Sequence, residues 1–139
     1  MNSELHRPAP SRPELTIVVP LHNEEGNIEP LHLALTQALE RVGRTAELVL
    51  VDDGSTDDTA ARLSALADVD PRVVVVTLRR NFGQTGALAA GFDHARGDIV
   101  VTMDGDMQHD PADLPRLLSR LDEGYDIVSG WRRERADLR

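Results

Sequence analysis

Runs of apolar residues alternate along the chain with segments in which apolar residues recur every three or four positions. The short β-branched runs predict buried strands, and the spaced leucines predict amphipathic helices. The predicted strands are residues 15–20, 47–54, 72–78, 98–104 and 125–131. The predicted helices cover 28–42, a segment that starts after residue 55, 84–95, and a segment that follows Asp110-Pro111. This order predicts an α/β fold, a three-layer and mostly parallel sheet flanked by helices on both faces.

Two helices carry more detailed signals. The spacing of Ser55 and Asp58 predicts a capping box at the start of the second helix. In the third helix, Leu88, Gly91, Phe92 and Ala95 fall on a common face, which predicts that this face packs on the sheet. Gly91 is expected there because it lets the helix approach the strands closely.

A polar cluster follows each predicted strand. The clusters read HNEE, DDGSTDD, RRNFGQ, DGDMQHD and WRRER in chain order. Ligands of open parallel sheets bind beyond the carboxyl ends of the strands. The sequence therefore predicts one binding edge at which these clusters meet.

The composition narrows the class of protein. With 139 residues the chain has the length of one domain, and its polar, proline-rich residues 1–13 predict a flexible tail before a domain at 14–139. The formal net charge of −9 argues against a nucleic-acid partner. The apolar runs are too short for a transmembrane segment, so we expect a soluble chain.

The absence of lysine and cysteine excludes several chemistries. All 15 basic residues are arginine, and there is no cysteine. A response-regulator receiver and a haloacid-dehalogenase-type phosphatase both need a lysine beside their aspartates. A dinucleotide-binding domain would need G-x-G-x-x-G after the first strand, where this chain has HNEEGN.

The DGDMQHD cluster has two interpretations. Asp104, Asp106 and Gln108 could present oxygen ligands to a hard cation such as Mg²⁺ or Mn²⁺. Alternatively, the segment is a polar turn whose Asp110 caps the next helix. Spacing alone leaves both open, but the position at a strand end beside four other polar clusters favours the metal site and leaves Asp110 as a cap.

The other clusters offer binding groups with competing structural roles. Asp53 could accept hydrogen bonds from a base or ribose, although its neighbours read as a turn. Glu24 could hold a ribose hydroxyl or place negative charge near a helix start. Arg79 and Arg80 could neutralise a diphosphate, and Arg132 could grip a phosphate or belong to a charged tail.

Four segments together resemble a known family. TIVVPLHNEEGNI, LVLVDDGSTDDT, LRRNFGQTGALAAGFDHARGDIVVTMDGDMQHDP and IVSGWRRER, in that order, resemble family 2 glycosyltransferases of the nucleotide-diphospho-sugar transferase (GT-A) fold. RNFGQTGALAAG followed by MDGDMQHDP is most similar to the branch typified by dolichyl-phosphate mannose synthase and bacterial polyprenyl-phosphate sugar transferases. The similarity extends from about residue 15 to 135.

The resemblance implies a role for each matching residue. Asp104 and Asp106 would form the DxD motif, with Asp106 and Gln108 nearest a Mg²⁺ or Mn²⁺ ion on the donor diphosphate. Arg132 would hold phosphate near the sugar. Asp104, Asp106 and Arg132 would thus be the catalytic residues. The nucleotide-binding residues would be Pro20, Glu24, Asp53, Arg80 and Asp104. His22 stands where the family usually has Tyr or Phe, which puts a stacking contact in doubt.

The resemblance also implies a reaction. A UDP- or GDP-linked sugar would pass, with inversion, to a polyprenyl phosphate acceptor, in the synthesis of cell-envelope glycans. The full-length enzyme would be cytoplasmic and would act at the inner face of the membrane. Relatives continue beyond this length, so we expect a donor-side part truncated after the fifth strand and weak or inactive in transfer. The alternative is a non-catalytic nucleotide-binding or self-associating module that forms a homo-oligomer.

Overall fold

The computed structural model describes residues 12–104 and 113–122. Four strands are present in these ranges: β1 (Leu15–Leu21), β2 (Ala46–Asp52), β3 (Val73–Thr77) and β4 (Ile99–Thr102). Four helices connect or follow them: α1 (Ile28–Val42), α2 (Thr59–Val69), α3 (Gln84–His94) and α4 (Leu114–Asp122). A short 3-10 helix, Glu25–Asn27, leads into α1. The predicted fifth strand (125–131) and the tail through residue 11 lie outside the described residues.

The described strands form one parallel sheet in the order β3-β2-β1-β4. Leu15 of β1 pairs with Ala46 of β2 and with Ile99 of β4, so the three strands start at the same level. Each crossover between strands that are consecutive in the chain contains a helix, as a parallel sheet requires. The prediction of a mostly parallel α/β sheet is therefore confirmed.

Helices α1, α2 and α4 cover one face of the sheet. The alternate residues of the central strand β1 supply its core, because side chains of a strand point to opposite faces in turn. The buried side chains of this layer include Ile17, Val19, Leu31, Leu35, Leu48, Leu63, Leu66, Leu114 and Leu118. The leucine spacing predicted for α1 thus corresponds to buried positions, and Leu114 and Leu118 of α4 are also buried.

Of the described helices, only α3 covers the other face, against Val18, Val49 and Val51. Gly91 is the closest point, because a Cβ atom there would collide with Val18 Cγ1 and lie 3.2 Å from Val51 Cγ2. The predicted packing role of Gly91 is confirmed. The prediction for Phe92 is wrong, since its side chain is 49% exposed. Ala87 lies in the interface instead, one turn before Gly91.

Two buried carboxylates connect secondary-structure elements near the amino ends of the strands. Glu47 accepts hydrogen bonds from the Thr16 hydroxyl (2.7 Å) and from the Arg96 backbone N–H (2.6 Å), which anchors the turn between α3 and β4. Asp70 accepts bonds from the Arg72 guanidinium, and its Oδ2 lies 2.7 Å from His32 Nε2 on α1. The hydrogen bonds from Arg72 hold the pKa of Asp70 well below its ordinary value.

Candidate functional site

The four described strands end at the same edge of the sheet, and their loops meet there. The β1 and β2 ends are linked by a bond from the Asp53 N–H to the Leu21 carbonyl (2.8 Å). The β2 and β3 ends are linked by a bond from the Leu78 N–H to the Asp52 carbonyl (2.9 Å). The clusters HNEE, DDGSTDD and RRNFGQ therefore lie at one edge, together with the first aspartate of DGDMQHD.

The loops after β1 and β2 are joined through Asn23. This residue has a φ of 53°, a left-handed conformation that asparagine tolerates better than most residues. Its side-chain oxygen accepts the Thr56 N–H (2.8 Å), and its own N–H donates to the Ser55 hydroxyl (2.9 Å). The predicted capping box is wrong, because Ser55 bonds across to the first loop and Asp58, the N-cap of α2, makes no side-chain cap bond.

Thr59 provides a second connection between the same two loops. Its buried hydroxyl accepts the backbone N–H of Glu24 (2.9 Å) and donates to Asp57 Oδ1 (2.6 Å). Asp57 also accepts the Thr59 N–H (2.9 Å). The bond from the Thr59 hydroxyl lowers the pKa of Asp57, because it stabilises the ionised carboxylate. The backbone that carries Glu24 is thus fixed by the start of α2.

Asp53 connects the second loop to the third. It is 3% exposed, and its two carboxylate oxygens accept the backbone N–H groups of Phe82 (2.7 Å) and Gly83 (3.0 Å). Gly54, with a φ of 67°, lets the loops touch, since a Cβ atom there would collide with the Arg80 carbonyl carbon and the Asn81 nitrogen. Asp53 and Gly54 are therefore packed under the RRNFG segment.

His22 also belongs to this junction. Its Nδ1 lies 2.8 Å from the Asp53 carbonyl oxygen, and its Nε2 lies 3.4 Å from the side-chain nitrogen of Asn23. A carbonyl only accepts hydrogen bonds, so the proton sits on Nδ1, and Nε2 accepts from Asn23. The residue that replaces the family's usual aromatic side chain therefore links β1's loop to β2's loop.

The arginines of the third loop point to solvent. Arg79 and Arg80 are both exposed, and the Arg80 guanidinium lies over the Phe82 ring at 4.4 Å from its centroid. This cation–π contact restricts the guanidinium and leaves its edge available for further hydrogen bonds. A cationic group is thus held at the carboxyl edge of the sheet.

Asp104, just after β4, is the described part of the DxD segment. Its Oδ1 accepts a hydrogen bond from the side-chain nitrogen of Gln84, the first residue of α3 (3.1 Å). Within residues 12–104 and 113–122, no three acidic or histidine side chains are grouped closely enough to hold a metal ion. Asp106, Gln108 and Asp110 lie outside the described residues, as does Arg132, so their roles stay predictions.

Pro20 and Glu24 flank the same edge. Pro20 is half-buried on β1, opposite Val51 of β2. Glu24 is partly exposed, and its Oε1 accepts a bond from the Asn27 side chain (2.7 Å). The structure thus brings together the predicted residues Pro20, Glu24, Asp53, Arg80 and Asp104 at the ends of β1 to β4, and their contacts with a nucleotide stay predictions.

Sequence reasoning missed the residues that join the loops. Asn23 and Thr59 carry this role, yet each reads locally as an ordinary loop or helix-start residue. Their partners are more than 30 positions away in the chain, so no local pattern identifies them. The available signal was that asparagine and threonine side chains readily bond backbone groups.

Comparison with protein families matches residues 16–138 to the family described as Glycosyl transferase family 2. A related protein from Enterobacter sp. (strain 638) is named undecaprenyl-phosphate 4-deoxy-4-formamido-L-arabinose transferase and is 42% identical over 125 residues. The protein of that name from Pseudomonas aeruginosa (strain LESB58) is 45% identical over 124 residues. These matches cover 89% and 88% of this chain, which spans only 38% and 37% of the relatives' lengths.

Two solved structures have the same fold. The mannosyltransferase PcManGT from Pyrobaculum calidifontis, solved with GDP-Man and Mn²⁺, matches with a TM-score of 0.70 and 29% identity, over 85% of this chain and 34% of that one. S. aureus TarS 1-349, solved with UDP-GlcNAc, matches with a TM-score of 0.64 and 25% identity, over 79% of this chain and 31% of that one. Fold and sequence agree that the chain belongs to glycosyltransferase family 2.

Proposed function

We propose that this chain binds a nucleotide-diphospho-sugar at the carboxyl edge of its sheet, as the donor-binding part of an inverting glycosyltransferase. The observation that carries the proposal is the convergence of three loops and Asp104 at one edge, each loop held by its neighbour. Relatives named as undecaprenyl-phosphate sugar transferases support it, as do the solved neighbours with GDP-Man and UDP-GlcNAc.

The nucleotide is proposed to lie over the ends of β1 and β2, beside Pro20 and Glu24. Glu24 offers a carboxylate that could accept ribose hydroxyl bonds, and the backbone beneath it is fixed by Thr59. Arg80, restrained over Phe82, offers a cation to the diphosphate. Glu24 would thus accept hydrogen bonds from the ribose of the nucleotide, and Arg80 would place a positive charge beside the diphosphate.

A divalent cation is proposed at the DxD segment. Asp104 supplies a carboxylate at the end of β4, and Asp106 and Gln108 of the same segment would supply further oxygen atoms, which is the donor set that Mg²⁺ and Mn²⁺ prefer. When bound, the ion would neutralise the charge that develops on the leaving diphosphate. The hydrogen bond from the Gln84 side chain restrains the Asp104 carboxylate at the end of β4, which supports this proposal.

The acceptor is proposed to be a polyprenyl phosphate at the inner face of a membrane. Its phosphate is already anionic near neutral pH, so the attacking oxygen needs no strong general base. Arg132 is proposed to hold phosphate near the sugar. No helix of the described segments is long and apolar enough to cross a membrane.

Titration calorimetry tests the donor site directly. The chain is mixed with UDP, GDP and their sugars, with and without Mn²⁺, and the Asp106→Ala variant is measured beside the wild type. We expect metal-dependent binding of one nucleotide class, which the variant loses. Absence of binding to every nucleotide in the presence of Mn²⁺ would refute the proposal. Light scattering on the same samples tests the self-associating alternative, which predicts an oligomer that Asp106→Ala leaves intact.

A further inference from the structure

A groove of about 250 Å³ lies at the amino ends of the strands, on the edge of the sheet opposite the candidate donor site. Its lining includes three arginines from distant parts of the chain, Arg12, Arg72 and Arg96. Each of them lies shortly before a strand, β1, β3 or β4. Among the described residues that line the groove, Glu47 is the single acid.

Glu47 holds one of these arginines in place. Its Oε2 accepts the Thr16 hydroxyl (2.7 Å) and the Arg96 backbone N–H (2.6 Å), and its Oε1 accepts the Arg96 Nε–H (3.2 Å). The Glu47 side chain is 4% exposed, whereas that of Arg96 is 52% exposed. The charged group that this wall of the groove presents to solvent is therefore the Arg96 guanidinium.

The other two arginines are also held from one side. Arg12 donates from Nη2 to Asp98 (2.8 Å) and from Nε to the Arg96 carbonyl oxygen (3.2 Å). Arg72 donates from Nε and Nη2 to the buried Asp70 (3.0 and 2.8 Å). Within residues 12–104 and 113–122, no hydrogen-bond partner faces Nη1 of Arg12, Nη1 of Arg72 or either Nη of Arg96. All three guanidinium groups thus retain N–H donors for a ligand.

From this arrangement we propose that the groove is a binding site for a small phosphate monoester. Guanidinium groups pair with phosphate through charge-assisted hydrogen bonds, and those restrained by a carboxylate lose little freedom on binding. Three guanidinium groups on separate segments can bond different oxygens of a tetrahedral phosphate, whereas a planar carboxylate offers only two oxygens. The site is separate from the donor edge and does not rest on the proposed function.

The rest of the groove fits the organic part of such an ester. Pro13, Ala46 and Val74 also line it, and Pro13 is buried. Ligand sites commonly combine an apolar surface with a few polar groups that fix the orientation of the ligand. The volume of the groove suits a body of about one ring beside the phosphate.

An NMR titration of the ¹⁵N-labelled, full-length chain with phenyl phosphate tests the proposal at fixed ionic strength. We expect saturable shifts of the backbone amide signals of Thr45, Glu47, Arg72 and Arg96. Shifts confined to residues 79–83 would place the anion at the donor edge and would overturn the proposal. The absence of shifts, or shifts that do not saturate, would overturn it as well.

Variants separate this site from a general effect of charge. Arg96→Gln and Arg12→Gln should each raise the dissociation constant of phenyl phosphate about tenfold, because each removes a charge-assisted hydrogen bond. Arg62→Gln is the matched control, since Arg62 is also exposed and paired with an acid, Glu29, but lies on α2 outside the groove. Equal weakening in all three variants would overturn the proposal. Arg12→Gln leaves the bonds of Glu47 intact, so it decides the question if Arg96→Gln does not fold.

A series of three anions tests the class of ligand. Phenyl phosphate should bind about tenfold more tightly than inorganic phosphate, which lacks the apolar body, and than benzoate, which lacks the tetrahedral anion. Equal affinity for inorganic phosphate would refute the contact with an apolar body. Equal affinity for benzoate would refute the assignment of a phosphate.

Discussion

Replacing Gly91 by alanine tests how closely α3 packs on the sheet. The added Cβ atom would collide with Val18 Cγ1 and lie 3.2 Å from Val51 Cγ2. Both valines are 0% exposed and belong to the central strands β1 and β2, so neither can turn toward solvent. We therefore expect α3 to move outward or the strand side chains to adopt strained rotamers.

Two opposing effects set the magnitude. Alanine favours a helix interior over glycine by about 1 kcal/mol. Overpacking a core costs about 1–3 kcal/mol, and the rigid neighbours at Gly91 place this site in the upper part of that range. We expect the free energy of unfolding to fall by about 1–2 kcal/mol and the melting temperature by about 4–8 °C.

Urea denaturation followed by circular dichroism at 222 nm measures this change. Ala89→Gly is the matched control, because Ala89 is an exposed residue of the same helix. It isolates the propensity difference and should cost about 1 kcal/mol. If Gly91→Ala is more stable than the wild type by about 1 kcal/mol, the reverse of the change at Ala89→Gly, helix propensity alone governs both sites and the close packing of α3 is refuted.

Three further changes test other contacts by the same denaturation assay. Leu35→Ala should cost about 2–5 kcal/mol, because Leu35 is 1% exposed in the core, whereas Leu33→Ala, 58% exposed, should change stability by at most about 0.5 kcal/mol. Hydrogen bonds from the Arg72 guanidinium lower the pKa of Asp70 from its ordinary value of 3.8, so the stability that Asp70 contributes is fully present above pH 3.8 and is lost as the pH falls below it. Asp70→Asn should therefore be less stable than the wild type at pH 7 and should lose less stability between about pH 5 and 2.5. Parallel curves of unfolding free energy against pH would contradict this. Thr59→Val should cost about 1 kcal/mol, since it leaves the partly buried Glu24 backbone N–H without its acceptor, and an unchanged urea midpoint would show that the contact is unimportant.

The spacing of apolar residues predicted the helices and strands of this fold, because the spacing of buried side chains within one element depends on the sequence of that element alone. The alternation of strands and helices predicted the parallel sheet, and the spacing in α1 predicted the buried Leu31 and Leu35. The errors arose where a distant partner displaced a local one. Ser55 bonds Asn23 and not its own helix. Phe92 is exposed because α3 packs on the sheet through Ala87 and Gly91.

The position of the candidate site at the strand ends was predictable, but its internal connections were not. The rule that ligands bind beyond the carboxyl ends of parallel strands placed Glu24, Arg80 and Asp104 together without any contact information. The direction of the Asp53 carboxylate could not be predicted in this way. A buried acid at that edge satisfies the ligand rule equally well whether it faces a nucleotide or the backbone N–H groups of a neighbouring loop.

The linked loops have a consequence for how the edge binds a charged ligand. Each loop is held by a side chain of the preceding or following one, through Asn23, Thr59 and Asp53. Contacts within the protein thus restrain the loops that carry the groups proposed to meet the diphosphate, which reduces the ordering cost of binding. Changes at Asn23 and Thr59 should therefore weaken nucleotide binding, although neither residue is proposed to contact the nucleotide. A second substitution that restores the loop geometry should restore nucleotide affinity, whereas one that restores only the charge should not.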